Sequence, residues 1–69
     1  MDWNAIVAAN VRSLRIERNL TQEQLAYEAE IDLTYLGGIE RGKRNPSVEV
    51  LGRIAAALGC HPSKFFKKP

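Results

Sequence analysis

The fold is decided by residues 20–42, which read LTQEQLAYEAEIDLTYLGGIERG. Near the start of this stretch, Thr21 and Gln24 have the spacing of a capping box, in which each side chain satisfies the other residue's backbone N–H at a helix start. The apolar residues that follow recur at helical spacing: Leu25, Ala26 and Ala29. The pattern therefore predicts a short helix of about two turns.

A second short helix is predicted directly after the first. Ile31 is an apolar residue in the joint, and Asp32 is a suitable N-cap for a helix that runs from Leu33 to Arg41. Gly42 is placed to end that helix as its C′ residue. Two short helices with a three-residue joint form a helix-turn-helix, here covering about residues 21–42.

Further helices are predicted on both sides of this motif. Upstream, Trp3, Val7, Val11 and Leu14 recur at helical spacing and predict a first helix of about four turns that ends near Asn19. Leu20, just after this helix, is expected to dock into the core.

Downstream of the motif, Ser47 is placed to cap a fourth helix that ends at Gly59. A last turn or two is predicted from Pro62 to Lys67. The inward residues of the fourth helix are expected to be Val48, Leu51, Ile54, Ala55 and Leu58. No strand pattern is visible, so we predict an all-α fold: a compact five-helix domain that covers residues 1–69.

The composition is that of a single folded domain. The chain has 69 residues, of which 45% are hydrophobic and 26% are charged, and this balance is typical of a globular domain rather than a disordered tail. A single cysteine, Cys60, excludes an internal disulfide, and with only His61 beside it cannot form a structural zinc site. We therefore expect no metal and no cofactor.

No targeting or membrane segment is predicted. The chain opens Met1-Asp2-Trp3 without a basic leader, and no stretch approaches the roughly 20 apolar residues that a membrane helix needs. We therefore expect a cytoplasmic protein that does not bind a membrane.

The charges are unevenly distributed along the chain. Residues 1–40 contain three arginines and seven acidic residues, whereas residues 41–69 contain seven basic residues and only Glu49 as an acid. The net charge of +2 hides this polarity. A basic half favours a polyanionic partner, although a run of charges can also be only a solvated face.

Several strings have a recognisable order and spacing. They are LTQEQLA at 20–26, Tyr35-Leu36, Ile39-Glu40-Arg41-Gly42, Asn45-Pro46-Ser47 and Ala57-Leu58-Gly59. Together they resemble the phage-repressor (Cro-like, Xre-type) helix-turn-helix family over nearly the whole chain. Ile31-Asp32, Thr34-Tyr35 and Gly38-Ile39-Glu40-Arg41 further resemble the controller proteins of restriction-modification systems.

The resemblance implies a lambda-repressor-like fold and a DNA-binding transcriptional regulator. Such a protein acts as a homodimer on a two-fold symmetric operator of double-stranded DNA. It represses transcription by blocking polymerase or activates it by contact with RNA polymerase, and likeness to controller proteins implies restriction-modification genes as targets. The sequence does not choose between repression and activation.

Five residues are predicted to bind DNA phosphates. Gln22 lies at the first turn of the second helix, where unpaired N–H groups and the positive end of the dipole face a phosphate. Lys43, Arg44 and Asn45 form a loop just past the recognition helix, where the loop would run along the DNA strand. Alternatively, Gln22 is only a solvated helix-start residue and the loop only a solubilising turn. Tyr35 is the fifth.

Base readout is assigned to the exposed positions of the third helix. These are Leu33, Thr34, Gly37 and Gly38. None is a bidentate donor, but Leu33 can pack on a thymine methyl and Thr34 offers a hydroxyl and a methyl. We therefore expect modest direct readout, with part of the specificity coming from DNA shape.

Gly37 and Gly38 are unusual inside a helix, because each lowers helix stability by about 1 kcal/mol relative to alanine. Some other feature of the protein should therefore favour them. They can allow close approach of the DNA, or give Tyr35 room to place its hydroxyl on a phosphate. They can equally mark a close helix–helix contact or a tolerant position.

Family resemblance also implies two structural roles. Arg15 and Glu40 are expected to form an ion pair across the core and to contact no bases. The dimer surface is expected at the C-terminal end, with Leu58, Phe65 and Phe66, although Phe65 or Phe66 can instead be core cover.

Two other classes of function compete with DNA binding. An enzyme is not expected, because His61 and Cys60 are adjacent and no nucleophile, base and orienting group are assembled. A protein-interaction module of the same fold, without DNA binding, is favoured by Leu33, Gly37 and Gly38 and opposed by the basic loop.

Overall fold

A computed structural model describes residues 1–68; Pro69, which the predicted domain of residues 1–69 includes, lies outside them. The described chain contains four α-helices and a final 3-10 turn, and no strand. Their bounds are α1 Trp3–Glu17, α2 Gln22–Ala29, α3 Leu33–Glu40, α4 Val48–Leu58 and the 3-10 turn Pro62–Phe66. The all-helical class is confirmed. The expected fifth helix is the 3-10 turn, and α1 and α3 end two residues and one residue earlier than predicted.

The helix starts are set by local side-chain caps. Gln24 N donates to Thr21 Oγ1 at 3.0 Å and Thr21 N donates to Gln24 Oε1 at 2.8 Å, so the predicted capping box is present. Asp32 and Ser47 cap α3 and α4 in the same way, each accepting from the backbone N–H three residues later. Each cap stabilises its helix by about 0.5–2 kcal/mol.

The core is formed by the inward faces of all five elements. Its largest fully buried side chains are Phe65, Leu25, Leu36, Ile39, Ile54, Leu58 and Val11. Leu14 and Leu20 pack against its edge. The inward placement of Val48 was wrong, because its side chain is exposed. Trp3 is 50% exposed and meets Phe66 edge-on, with ring centroids 6.2 Å apart.

The turn after α3 determines where the following loop lies. Gly42 has φ +73°, a left-handed conformation that favours glycine because it lacks a Cβ. The carbonyl oxygen of Gly38 then accepts from Lys43 N at 2.9 Å and from Arg44 N at 3.2 Å. These two hydrogen bonds fold the loop back beside α3.

Neither a membrane span nor a metal-binding cluster is found in residues 1–68. No helix in that range has the length and apolar character to cross a membrane. Within the same residues, no group of three or more His, Cys, Asp or Glu side chains is arranged to hold a metal ion.

Candidate nucleic-acid interface

The start of α3 is open to solvent on one side. Leu33 is 42% exposed and Thr34 is exposed, whereas Leu36 and Ile39 point into the core. The helix is anchored by the Asp32 cap at its first turn. A short helix held by its buried face and free at its first turn has the form of a recognition helix, which presents its N-terminal residues to base edges in the major groove.

The basic loop, defined here as residues 43–45, lies beside that exposed turn. Lys43, Arg44 and Asn45 are all exposed. The Arg44 guanidinium carbon lies 4.9 Å from the centroid of the Tyr35 ring, within the range of a cation–π contact. Tyr35 Oη also donates to the carbonyl oxygen of Asn45 at 3.3 Å. Tyr35, in the first turn of α3, therefore ties that turn to the basic loop through Arg44 and Asn45, and its hydroxyl binds the loop in this structure.

Beneath this surface, a hydrogen-bonded network joins α1, α2 and α3. Glu40 accepts from Arg15 Nε at 2.8 Å and from Arg15 Nη2 at 3.1 Å. The Arg15 side chain is 13% exposed and that of Glu40 is 2% exposed, so this is a largely buried, bidentate ion pair. Arg15 Nη1 also donates to the carbonyl oxygen of Leu20 at 2.8 Å. The pair fixes the start of α2 against the end of α3.

Gln22, at the start of α2, also belongs to this network. Its side-chain Nε2 donates to Glu40 Oε1 at 3.1 Å. One of the two N–H donors of the Gln22 amide is therefore used to orient Glu40, and its phosphate contact stays a prediction. The buried carboxylate attracts this donor because it has more acceptor capacity than Arg15 alone fills.

The paired glycines are covered by arginine side chains, which corrects their assignment to base readout. Both Gly37 and Gly38 are buried. The space a Cβ would occupy at Gly37 is 3.1 Å from Arg41 Nη1, and that at Gly38 is taken by the stem of Arg44. Neither glycine presents open backbone to a ligand in this conformation. The Arg41 side chain folds back along α3 toward Gly37.

A family model described as "Helix-turn-helix" matches residues 11–65. Control protein C.SmaI of Serratia marcescens is 41% identical over 68 residues, which cover 99% of this chain and 81% of that protein. The HTH-type transcriptional regulator y4dJ of Sinorhizobium fredii is 42% identical over 59 residues, 86% of this chain and 77% of that protein.

Solved structures agree with the sequence matches. The restriction-modification controller protein C.AhdI from Aeromonas hydrophila superposes with a TM-score of 0.89 at 36% identity, over 91% of this chain and 96% of that one. The chain belongs to the helix-turn-helix family. It is a DNA-binding transcriptional regulator and not an enzyme, and the predicted resemblance to controller proteins is confirmed.

Two residues expected at the dimer surface of this helix-turn-helix regulator lie in its own core. Leu58 is 1% exposed and Phe65 is fully buried, so neither can contact a second protomer without unfolding. Asn10 Nδ2 donates to the carbonyl oxygens of Phe65 and Lys67, both at 2.8 Å, and so ties the backbone of this turn to α1. Phe66 is 44% exposed, so its predicted place at the dimer surface remains open to it.

Two features of the site escaped sequence reasoning. Asn10 was not singled out, because its partners lie more than 50 positions away and an asparagine in a helix has no pattern that marks such a contact. The arginine cover over Gly37 was also missed. Its only signal is the i, i+4 spacing of Gly37 and Arg41, which places both on one helix face.

Proposed function

We propose that this regulator binds a two-fold symmetric DNA operator as a homodimer, with α3 of each protomer in the major groove. One observation carries the proposal: the exposed first turn of α3 and the basic loop lie side by side and are joined through Tyr35. The width of the groove, about 12 Å, accommodates one helix, and the flanking phosphates then lie within reach of cations beside it.

Each element of this surface has a proposed role. Leu33 packs on a thymine methyl group and Thr34 contacts a base edge with its hydroxyl or methyl. Lys43, Arg44 and Asn45 bind phosphates. With only two base-reading side chains and no bidentate donor among them, part of the operator preference comes from DNA shape and deformability.

A single protomer makes few base contacts and should bind DNA weakly, and dimerisation raises this affinity. Two linked protomers add their contacts at half-sites about one helical turn apart. Phe66, with Trp3 beside it, offers an exposed aromatic pair for the protomer contact. Likeness to C.SmaI and C.AhdI, which are named as control and controller proteins, supports restriction-modification genes as targets. We further propose a cytoplasmic location and contact with RNA polymerase as a mode of activation.

The experiment is a fluorescence anisotropy titration of the protein against the DNA upstream of its own gene, at about 50 mM and 200 mM salt. The proposal predicts saturable binding that exceeds binding to shuffled duplex and weakens steeply with salt, because each phosphate contact releases a counterion. Equal, salt-sensitive affinity for both duplexes would instead mean DNA binding without an operator.

The variant K43A/R44A tests the loop separately. It should weaken binding to all duplexes alike and flatten the salt slope by about one unit for each lost phosphate contact. The matched control is Lys64→Ala, which removes one cation from the 3-10 turn rather than from the basic loop. A changed sequence preference in the loop variant would show that these residues read bases.

A protein-interaction module of the same fold is the second candidate. The observation that favours it is the exposed Leu33 at the first turn of α3, an apolar side chain where a polar base reader is common. Absence of binding to any duplex at about 50 mM salt would support this candidate and contradict the operator.

A further inference from the structure

The side chain of Arg44 occupies the space above Gly38. A Cβ built on Gly38 would overlap Cγ of Arg44 and would lie 3.4 Å from its Cβ and 3.6 Å from its Cδ. The overlap involves the base of the arginine stem, not its flexible tip. A rotation at the tip therefore cannot relieve it. Arg44 would have to rotate about χ1, which carries its guanidinium to another place, or the loop would have to shift.

The loop backbone is itself tied to Gly38 and to its neighbour on α3. The Gly38 carbonyl oxygen accepts from Lys43 N and Arg44 N, at 2.9 and 3.2 Å. The Arg44 guanidinium stacks over Tyr35, and the Tyr35 hydroxyl donates to the Asn45 carbonyl oxygen. Arg44 is thus fixed at its backbone, at its stem and at its tip, while the guanidinium stays on the exposed surface.

We propose that Gly38 is a positioning residue for DNA binding: its missing side chain seats Arg44 so that the guanidinium stands at a fixed place beside the recognition helix, where it meets one DNA phosphate. Gly38 acts through Arg44 and does not contact DNA. The inference rests on the DNA binding proposed above, and it explains why a glycine occupies position 38 of a helix.

Gly37 differs from Gly38 in a way that the experiment can use. A Cβ at Gly37 would lie 3.1 Å from Arg41 Nη1, the far end of a long and exposed side chain, and 3.9 Å from Gln22 Oε1. That arginine tip can move aside with little change elsewhere. Alanine should therefore be tolerated at Gly37 and not at Gly38, although both glycines lie in the same helix.

The rival explanation is that Gly38 permits close approach of the DNA itself. Both explanations predict that Gly38→Ala weakens binding, so a single variant does not separate them. They differ in the Arg44→Ala background, where no stem remains to clash. Seating predicts that Gly38→Ala then has no further effect, whereas close approach predicts that its full effect persists.

The experiment measures the affinity of wild type, G38A, R44A and G38A/R44A for a mixed-sequence duplex of about 21 base pairs, or two helical turns. We expect G38A and R44A each to weaken binding about tenfold per bound protomer, the value of one charge-assisted hydrogen bond. The double variant should bind as R44A does. The salt slope should fall by about one unit per protomer in all three variants, a change that simple loss of stability does not produce.

Two alanine controls accompany the series. Gly52 lies exposed in α4, and the position of an added Cβ has no heavy atom within 4 Å, so Gly52→Ala should leave affinity and salt slope unchanged. Gly37→Ala should change affinity by less than about threefold, because only an arginine tip must move. Circular dichroism establishes that each variant is folded before it is titrated.

The outcomes separate the two proposals. Two outcomes overturn the seating of Arg44 while DNA binding stands. In the first, wild type binds the duplex and G38A has the same affinity and salt slope as wild type. In the second, Gly38→Ala lowers the affinity as much in the R44A background as in the wild-type chain. If wild type does not bind at about 50 mM salt, the proposed function itself fails. Should G38A alone not fold, comparison of R44A with G38A/R44A still decides: equal affinities support seating, and weaker binding by the double variant overturns it.

Discussion

Replacement of Arg15 by methionine should destabilise the protein severely, because it strands the Glu40 carboxylate. Arg15 supplies two of the three hydrogen bonds that Glu40 accepts, and Gln22 supplies the third. The Glu40 side chain is only 2% exposed, so water cannot replace the lost donors. Methionine keeps the packing of the aliphatic stem and removes only the charge and the donors.

The expected size of the effect follows from this burial. Removing one partner of a buried ion pair costs about 3–5 kcal/mol, since the other charge stays without compensation. A domain of 69 residues has a total stability of roughly 3–10 kcal/mol at the usual stability per residue. Arg15→Met should therefore lower the melting temperature by at least about 12 °C and bring the protein close to its unfolding threshold.

A second variant distinguishes the stranded charge from lost packing. In R15M/E40L no charge remains to be buried, and an apolar replacement of a buried pair is often neutral or stabilising. This double variant should recover at least about 2 kcal/mol of the loss. Urea unfolding followed by far-UV circular dichroism at 25 °C measures all the variants.

The control is an ion pair in the same protein that is exposed. Arg53 Nη2 lies 2.7 Å from Glu49 Oε2, with the two side chains 45% and 74% exposed. Glu49→Gln should cost no more than about 1 kcal/mol, because solvent screens the pair. The reasoning is refuted if Arg15→Met costs no more than this control, or if R15M/E40L is as unstable as R15M.

Three further predictions concern the fold. Phe65→Ala should cost about 3–5 kcal/mol in urea unfolding because the ring is fully buried, and a value below about 1 kcal/mol would contradict its place in the core. Asp32→Ala should cost about 1 kcal/mol through loss of the α3 cap, whereas Asp32→Asn should be nearly neutral. Gly42→Ala should cost about 1–2 kcal/mol, since φ is +73° there; equal stability would show that the turn adopts another conformation.

Local signals allowed most of the fold to be predicted. The caps at Thr21, Asp32 and Ser47 act within three residues of themselves, so their spacing in the sequence was enough to place the starts of α2, α3 and α4. The glycine after α3 was predicted for the same reason, because a helix end is set by the residue that follows it.

The features that could not be predicted depend on contacts between residues that are far apart in the sequence. The assignment of Phe65 to a dimer surface was wrong, and the placement of its 3-10 turn depends on Asn10 in distant α1. The assignment of Leu58 was wrong as well, although the helical pattern of α4 had predicted that this side chain points inward. In the site, the hydrogen bond from Gln22 to Glu40 was not predicted, because it depends on where two helix ends meet. The seat at Gly38 depends on a loop that folds back over its own helix.

Chemical-shift mapping of ¹⁵N-labelled protein with operator duplex tests the central claim most directly. The account predicts that the largest shift changes fall on the first turn of α3, residues 33–35, and on the basic loop, residues 43–45, with little change along α4. Changes concentrated on α4 and the 3-10 turn, with α3 unaffected, would contradict it.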